Sequence, residues 1–325
     1  MRKPKVFVAK KIPREVEDYI AQYCEYELWS SNENITYDQV LKYGKDVEGL
    51  LLSRIKIDDY LLSYAPNLRV VSNMSVGYNN FDIEAMKKRK VIGTNTAGSL
   101  DNSVADLIFG LIIASARRIT ELDRFVKDRR WKKKDDEELY GQDVYQASLG
   151  IIGMGRIGEC VARRAKFGFD MDVYYYNRNR KMDVEKSLGV TYLDFSTLLN
   201  TCDFIVLMTP LTEETYHLID EEEFNQMNEK AIFINASRGQ TVNEKALVDA
   251  LKNKRILAAG LDVYEDEPIS DYNPLLNISN VITLPHIGSS TEKTRAKMAM
   301  VAAKNLVQAL YGDKPDNIIP ELMGY

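Results

Sequence analysis

The segment 149–158, Leu-Gly-Ile-Ile-Gly-Met-Gly-Arg-Ile-Gly, constrains the fold of this chain more than any other. It predicts an apolar strand that turns through Gly153, Gly155 and Gly158 into a helix. Gly153 allows the tight turn, Gly155 lets a pyrophosphate approach the backbone, and Gly158 lets the helix pack against the strand. The N–H groups at the start of that helix favour anions. A β-branched and aromatic run at 173–176 follows where a second strand belongs, so we favour a dinucleotide-binding domain over an unrelated glycine-rich turn.

Composition narrows the class of protein. A chain of 325 residues can form two domains, and its net charge of -5 argues against a general nucleic-acid surface. The longest apolar run, 107–116, has about half the length of a membrane span, and the run 6–9 is too short for the core of a signal peptide. The 3 cysteines show no metal-ligand spacing, and their odd number suits a reducing compartment. We therefore expect a cytoplasmic protein without membrane, metal or nucleic-acid partners.

Strand-like and helix-like segments alternate in the first hundred residues, which predicts a parallel sheet. The predicted strands are 5–9, 47–52, 69–72 and 91–94, and the predicted helices are 13–24, 58–64 and 81–89. In such sheets ligands bind beyond the carboxyl ends of the strands, where the loop 73–78 is expected. The polar stretch 95–102 is the expected crossing into a second domain.

A second alternating series follows a long apolar helix at 103–118 and a charged stretch, 119–147, part of which we expect to be a solvated loop. Its predicted strands are 148–153, 171–176, 190–192, 203–208, 231–235, 257–262 and 281–284. Residues 285–290 are the expected second crossing, and Thr291 is expected to cap a final helix that returns to the first domain. The predicted domains are therefore 1–99 with 288–325, and an inserted domain at 100–287, with a cleft between them.

Hydride transfer to a ketone requires a proton donor and a cationic anchor for an anionic substrate. The chain has 2 histidines. His217 is interpreted as a packing or capping residue, whereas His286 follows a strand at the domain crossing and is the candidate acid. Arg238, also just past a strand, suits a carboxylate. Spacing does not choose among the four acids of 262–267.

Five motifs, in order, carry a resemblance to a known family. They lie at 75–82, 150–158, 235–239, 260–268 and 284–288. The chain resembles the D-isomer-specific 2-hydroxyacid dehydrogenases over nearly its whole length. The resemblance implies an α/β fold with two doubly wound parallel sheets, in which a Rossmann coenzyme domain is inserted into a flavodoxin-like substrate domain. It also implies a homodimer, whose contact would involve the helix from residue 103 and the charged arm after it.

The same resemblance assigns roles to individual residues. The catalytic residues would be Arg238, Glu267 and His286. The substrate would be bound by Arg238 and by the N–H groups of Val76 and Gly77, which would hold its carboxylate. Apart from the resemblance, Arg54 and Ser75 are candidate substrate-binding residues that could line the pocket. Ser53, Met74 and Leu100 are further candidates to line the pocket. Arg54 could reach a hydroxyl or a second carboxylate of the substrate, or it could be a surface residue; the sequence leaves both open.

The cofactor preference is inferred from the end of the second strand. NAD enzymes usually carry Asp or Glu there, but this chain has Asn177-Arg178-Asn179-Arg180, which suits a 2′-phosphate. We expect NADP(H) to be preferred and NAD(H) to remain possible; a solvated basic turn is the alternative interpretation. The expected cofactor-binding residues are Val104, Gly153, Gly155, Arg156, Ile157, Gly158, Asn177, Arg178, Arg180, Thr209, Pro210, Ala236, Asp262, His286 and Gly288.

The sequence thus predicts an NADPH-dependent reductase of small 2-keto acids, of the glyoxylate, hydroxypyruvate and 2-ketogluconate type. One alternative is an NAD-dependent, lactate-type D-2-hydroxyacid dehydrogenase. The other is a non-catalytic dinucleotide sensor on the same fold. Because Arg238, Glu267 and His286 are all present, the enzyme is favoured over the sensor.

Overall fold

The computed structural model describes residues 2–132 and 137–324, so positions 133–136 of the predicted charged loop lie outside the described residues. The chain divides into two compact units. Unit 1 is Met1–Leu100 with Ser289–Tyr325, and unit 2 is Asp101–Gly288. These bounds differ by one residue from the junctions predicted at 99/100 and 287/288.

The elements alternate along the chain as expected for a parallel α/β protein. The strands are β1 Lys5–Val8, β2 Glu25–Leu28, β3 Gly49–Leu52, β4 Val70–Asn73, β5 Ile92–Thr94, β6 Ser148–Ile152, β7 Asp172–Tyr176, β8 Thr191–Tyr192, β9 Phe204–Leu207, β10 Ile232–Asn235, β11 Ala258–Leu261 and β12 Val281–Thr283. The α-helices are α1 Arg14–Tyr23, α2 Tyr37–Gly44, α3 Asp59–Tyr64, α4 Ile83–Arg89, α5 Asp101–Ala116, α6 Ile119–Lys127, α7 Arg156–Phe169, α8 Met182–Leu188, α9 Phe195–Thr201, α10 Glu221–Gln226, α11 Glu244–Lys252 and α12 Glu292–Tyr311.

The sheet of unit 1 has the strand order β2-β1-β3-β4-β5, and every pairing is parallel. This is the flavodoxin-like order. Helix α12 packs along the sheet in the opposite direction to the strands. Leu306 and Leu310 lie over Gly49 at the start of β3, whereas Ala302 accepts a 2.7 Å hydrogen bond from Ser72 near the end of β4. The N-terminus of α12 therefore lies at the carboxyl edge of the sheet.

The sheet of unit 2 has the strand order β12-β11-β10-β9-β6-β7-β8, again wholly parallel. The order reverses between β9 and β6, which creates the switch point at which α/β sheets bind their ligands. Strands β9 and β10 are completely buried, as expected for a sheet covered by helices on both faces. The predicted fold class, two doubly wound parallel sheets, is confirmed.

Three local predictions need correction. Strand β2 and helix α2 were not predicted, and helix α6 occupies part of the stretch expected to be a loop. Arg118 separates α5 from α6 with φ 53°, and its guanidinium donates a 2.6 Å hydrogen bond to Glu121 in the first turn of α6. The residues of α6 are all at least partly exposed, which explains why its sequence has the composition of a solvated segment.

Within the described residues, no helix has the length and apolar character needed to cross a membrane. The same residues contain no group of three or more His, Cys, Asp or Glu side chains arranged to hold a metal ion.

Candidate active site and cofactor site

The glycine-rich turn after β6 has the geometry that its three glycines predict. Gly153 has φ 106°, and a Cβ there would lie 2.7 Å from the carbonyl of Met208. A Cβ on Gly158 would lie 2.6 Å from the carbonyl oxygen of Gly153, so this glycine allows the helix to approach the turn. Gly155 faces open space at the N-cap of α7, where its backbone is accessible to a phosphate.

The end of β7 holds the residues expected at the ribose. Asn177 Oδ1 accepts a 2.7 Å hydrogen bond from the Met154 N–H, which fixes this side chain against the glycine-rich turn. Arg180 forms a bidentate pair with Glu185, with both N–O distances at 2.7 Å. Arg178 is exposed and forms no ion pair within the described residues. The two arginines that the sequence grouped together are therefore in different electrostatic environments.

Other predicted cofactor residues line the same carboxyl edge of unit 2. Thr209 follows β9, and its hydroxyl is buried with no hydrogen-bond partner among the residues that the structure describes. A Cβ on Gly288 would lie 3.3 Å from Val104 and 3.2 Å from Asp262. The orphaned hydroxyl of Thr209 and the open space at Gly155 fit a dinucleotide, which would supply the missing partner of the hydroxyl. Three further predicted residues lie at this edge as well, with Pro210 after β9, Ala236 after β10 and Ile157 at the start of α7.

An acid–base pair lies where β11 and β12 end. His286 Nδ1 is 2.6 Å from Glu267 Oε2, and both side chains are about one-third exposed, at 34% and 29%. His286 has φ 54°, a left-handed conformation that costs free energy in a residue other than glycine and recurs at functional sites. Nε2 of His286 makes no hydrogen bond to any described residue. The imidazole therefore has one nitrogen held by a carboxylate and the other available to a ligand.

Asp262 positions the backbone that directly follows His286. Its two oxygens accept hydrogen bonds from the N–H groups of Ile287 (2.7 Å) and Gly288 (2.8 Å). Burial raises the pKa of Asp262, while the two N–H donors and the nearby His286 act to lower it. Because Asp262 is 1% exposed, its hydrogen bonds fix the segment that carries His286.

The loop that carries Arg238 is in direct contact with the loop that carries Glu267. A Cβ on Gly239 would lie 1.8 Å from the carbonyl of Tyr264, so only glycine fits there without a backbone shift. Asn235, at the end of β10, fixes the turn, since its amide donates a 3.0 Å hydrogen bond to the Arg238 carbonyl and its oxygen accepts one from the Ser237 N–H. Arg238 is thus placed by β10 and His286 by β12, with Glu267 between them on the loop after β11.

The second histidine belongs to a different pair. His217 Nε2 is 2.6 Å from Glu265 Oε1, and its ring stacks on Tyr216 with centroids 4.1 Å apart. These contacts suit the packing role interpreted from the sequence, although His217 follows a short 3-10 turn instead of beginning a helix. The structure also distinguishes three of the acids at 262–267, which their spacing in the sequence could not do. Glu265 pairs with His217, Glu267 pairs with His286, and Asp262 accepts hydrogen bonds from backbone N–H groups.

The predicted substrate loop lies at the carboxyl edge of unit 1. The carbonyls of Ser75, Val76 and Gly77 accept hydrogen bonds from the Thr96 N–H (3.0 Å) and from the side chains of Asn95 (2.9 Å) and Asn73 (2.9 Å) respectively. The N–H groups of Val76 and Gly77 have no hydrogen-bond partner among the described residues. Two adjacent donors without partners suit an incoming carboxylate. Arg54 follows β3 with φ 66°.

The family is shown by comparison with known proteins. The family model described as "D-isomer specific 2-hydroxyacid dehydrogenase, NAD binding domain" matches residues 109–288, which is more than half of the chain. The chain belongs to this family. It is therefore an oxidoreductase that uses a nicotinamide dinucleotide, and the family resemblance seen in the sequence is confirmed.

Individual relatives share nearly the whole chain. A glyoxylate reductase of Korarchaeum cryptofilum is 43% identical over 98% of this chain and 96% of its own length. A glyoxylate/hydroxypyruvate reductase B of Escherichia fergusonii is 43% identical over 98% of each chain. Among solved structures, an NADPH-dependent glyoxylate/hydroxypyruvate reductase of Sinorhizobium meliloti, in complex with NADP and malonate, has a TM-score of 0.84 at 29% identity and covers 98% of each chain.

Proposed function

We propose that this protein reduces small 2-keto acids of the glyoxylate and hydroxypyruvate type to D-2-hydroxy acids, with NADPH as the preferred reductant. The observation that carries the proposal is the 2.6 Å pair between His286 and Glu267 beside the loop of Arg238. The names of the relatives support the substrate class. 2-Ketogluconate is a further candidate of the same chemical type.

The proposed chemistry assigns one task to each side chain. The guanidinium of Arg238 binds the carboxylate and carbonyl oxygen of the keto acid through its paired N–H donors. The nicotinamide, when bound, supplies a hydride to the carbonyl carbon. Nε2 of protonated His286 donates its proton to the carbonyl oxygen as negative charge develops there. Glu267 holds Nδ1 and stabilises the imidazolium before the proton leaves.

The proposed NADPH preference rests on the end of β7. A 2′-phosphate would meet Arg178, which has no ion-pair partner among the described residues, and Asn177 places no negative charge there. NADH would lose the contact with Arg178 but keep the glycine-rich turn and Asp262, so it would serve as a poorer reductant.

Val76 and Gly77 would bind the substrate carboxylate through their N–H groups. Homodimerisation and a cytoplasmic location also remain predictions.

The initial rate of nicotinamide oxidation tests the proposal. Purified protein is mixed with NADPH or NADH and with glyoxylate, hydroxypyruvate, 2-ketogluconate or pyruvate. The proposal expects turnover of glyoxylate or hydroxypyruvate, with a larger kcat/KM for NADPH. Turnover with NADH alone would refute the preference, and tight cofactor binding without turnover of any acid would favour the sensor alternative.

A further inference from the structure

Three cationic residues of unit 1 lie at the carboxyl edge of its sheet, and none of them forms an ion pair with an acid that the structure describes. Lys10 lies two residues beyond β1, Arg54 lies two residues beyond β3, and Arg295 lies in the first turns of α12. Strands β1 and β3 are adjacent, with Val8 opposite Leu51, so Lys10 and Arg54 leave neighbouring strand ends. The reversed direction of α12 brings Arg295 to the same carboxyl edge. We name these three residues the basic cluster.

The cluster is electrostatically unfavourable as it stands. Burial lowers the pKa of Lys10, and the charges of Arg295 and Arg54 lower it further. The pKa of Arg295 is lowered by burial and by Arg54. No Asp or Glu of the described residues forms an ion pair with any of the three. Like charges that repel one another without a neutralising partner indicate a place where an anion is bound.

Two further observations point the same way. Arg54 has φ 66°, a backbone conformation that is unfavourable outside glycine and recurs at ligand sites. Arg295 stands near the positive end of the α12 dipole, where a cation is disfavoured and an anion is favoured, and its guanidinium donates a 3.1 Å hydrogen bond to Ser290.

The cluster shares its edge with the predicted substrate loop. The Met74 N–H donates a 2.7 Å hydrogen bond to the carbonyl of Leu52, so the backbone leading to Arg54 runs beside the backbone leading to Val76 and Gly77. A short molecule with one anion on the N–H groups of this loop can therefore direct a second anion toward the cluster.

We propose that Lys10, Arg54 and Arg295 bind a second anionic group, a phosphate or a carboxylate, of a 2-keto acid whose own carboxylate is held at Val76 and Gly77. This inference rests on the proposed function and extends it, because it predicts that acids with an anionic tail are better substrates than acids with a neutral tail. It also gives Arg54 a binding role, one of the two interpretations that the sequence left open.

Matched substrate pairs test the inference with the intact protein and NADPH. Hydroxypyruvate is compared with 3-phosphohydroxypyruvate, and pyruvate with oxaloacetate, so that each pair differs by one phosphate or one carboxylate. We expect kcat/KM to be about tenfold larger for the anionic member of at least one pair, the gain of one charge-assisted hydrogen bond. The pair that responds identifies the anion.

Lys10→Gln is the informative variant, and Lys11→Gln is its control. Lys11 is the next residue and is exposed, with its side chain bonded to Asn32, so its loss removes the same charge outside the cluster. Lys10→Gln should abolish most of the preference for the anionic tail, and Lys11→Gln should keep it. Because Lys10→Gln relieves repulsion, its melting temperature without ligand should match or exceed that of the wild type.

The failure of the inference differs from the failure of the proposed function. Suppose that the protein reduces hydroxypyruvate and pyruvate without preferring 3-phosphohydroxypyruvate over the first or oxaloacetate over the second. That result overturns the inference and leaves the proposed function standing. So does a preference that survives Lys10→Gln, or a Lys10→Gln protein that is merely destabilised. If no acid is reduced, the proposed function fails. The melting temperature with inorganic phosphate or malonate then tests whether the basic cluster binds an anion. A rise in melting temperature that Lys10→Gln removes supports it, and no rise refutes it.

Discussion

Replacing Arg178 with alanine should weaken NADPH binding and leave NADH binding nearly unchanged. Arg178 forms no ion pair within the described residues, although the pKa of Glu214 is lowered by a hydrogen bond from Thr212 and also by the charge of Arg178, so a 2′-phosphate would compete only with this longer-range attraction. A hydrogen bond between charged groups contributes about 1.5–3 kcal/mol. Because Arg178 is exposed, solvent screening places the loss near the lower limit, about 1.5 kcal/mol, which is roughly a tenfold rise in Kd for NADPH.

The assay is a titration of nicotinamide fluorescence with NADPH and NADH, performed on the wild type and the variant. Arg163→Ala is the control for net charge, because Arg163 is an exposed residue of α7 roughly 10 Å along the helix from its N-terminus. An equal loss of affinity for both cofactors would place Arg178 away from the 2′-phosphate and would refute the reasoning.

Arg180 gives a second test of the same argument. The hydrogen bonds from Arg180 and Tyr175 lower the pKa of Glu185 to about 2, so Glu185 stays ionised and holds Arg180 at any pH near neutrality. Arg180→Ala should therefore weaken NADPH less than Arg178→Ala does. Glu185→Gln should release Arg180 and tighten NADPH binding relative to NADH; unchanged affinities in Glu185→Gln would mean that Arg180 cannot reach the phosphate.

Three other substitutions and one chemical probe test the rest of the site. His286→Ala should lower kcat by about 10²–10⁴-fold with little change in the Kd for NADPH, measured by stopped-flow and titration, and a collapse of cofactor binding would remove the proton-donor assignment. Glu267→Gln should lower kcat by about 10–100-fold with little change in the Kd for NADPH, because a neutral amide replaces the carboxylate that holds His286 Nδ1, and an unchanged kcat would contradict its role. Gly239→Ala should reduce stability by about 1–3 kcal/mol in urea unfolding, because its Cβ meets Tyr264 at 1.8 Å, and an unchanged midpoint would refute this close approach. Burial raises the pKa of Cys202 to about 12, so a thiol reagent at pH 8 should modify it only after unfolding, and rapid native labelling would contradict its burial.

Hydrophobic pattern was most informative where strands are buried. All seven strands of unit 2 were predicted, and among them β9, β10 and β11 are completely buried and largely apolar runs, as is typical of central parallel strands. Strand β2 has the sequence Glu-Tyr-Glu-Leu and lies at a sheet edge, so half of it is charged and no apolar run marks it. Helix α2 did have a sequence signal, the capping box between Thr36 and Gln39.

The site was predictable to the extent that backbone conformation decides it. The glycine-rich turn has the close backbone approaches that its glycines imply, and the loop of Val76 and Gly77 has open N–H groups. The partners of charged side chains were not predictable from the sequence. Arg178 and Arg180 are two residues apart, yet Glu185 neutralises only Arg180, since the start of α8 returns the chain toward β7. Lys10 gave no sequence signal, because its neighbours in the basic cluster lie far along the chain.

The positions of Asp262, Glu267 and His286 along the chain have a consequence for how this protein can change. All three residues, together with Arg238 and the glycine-rich turn, belong to one continuous stretch of chain, Asp101–Gly288. The residues proposed to distinguish one acid from another, including Arg54 and Arg295, belong to the other unit. Under these proposed roles, substitutions in unit 1 that redirect the protein toward a new acid would leave the proposed proton donor and its partner in place, so a library aimed at substrate range should leave 101–288 unaltered.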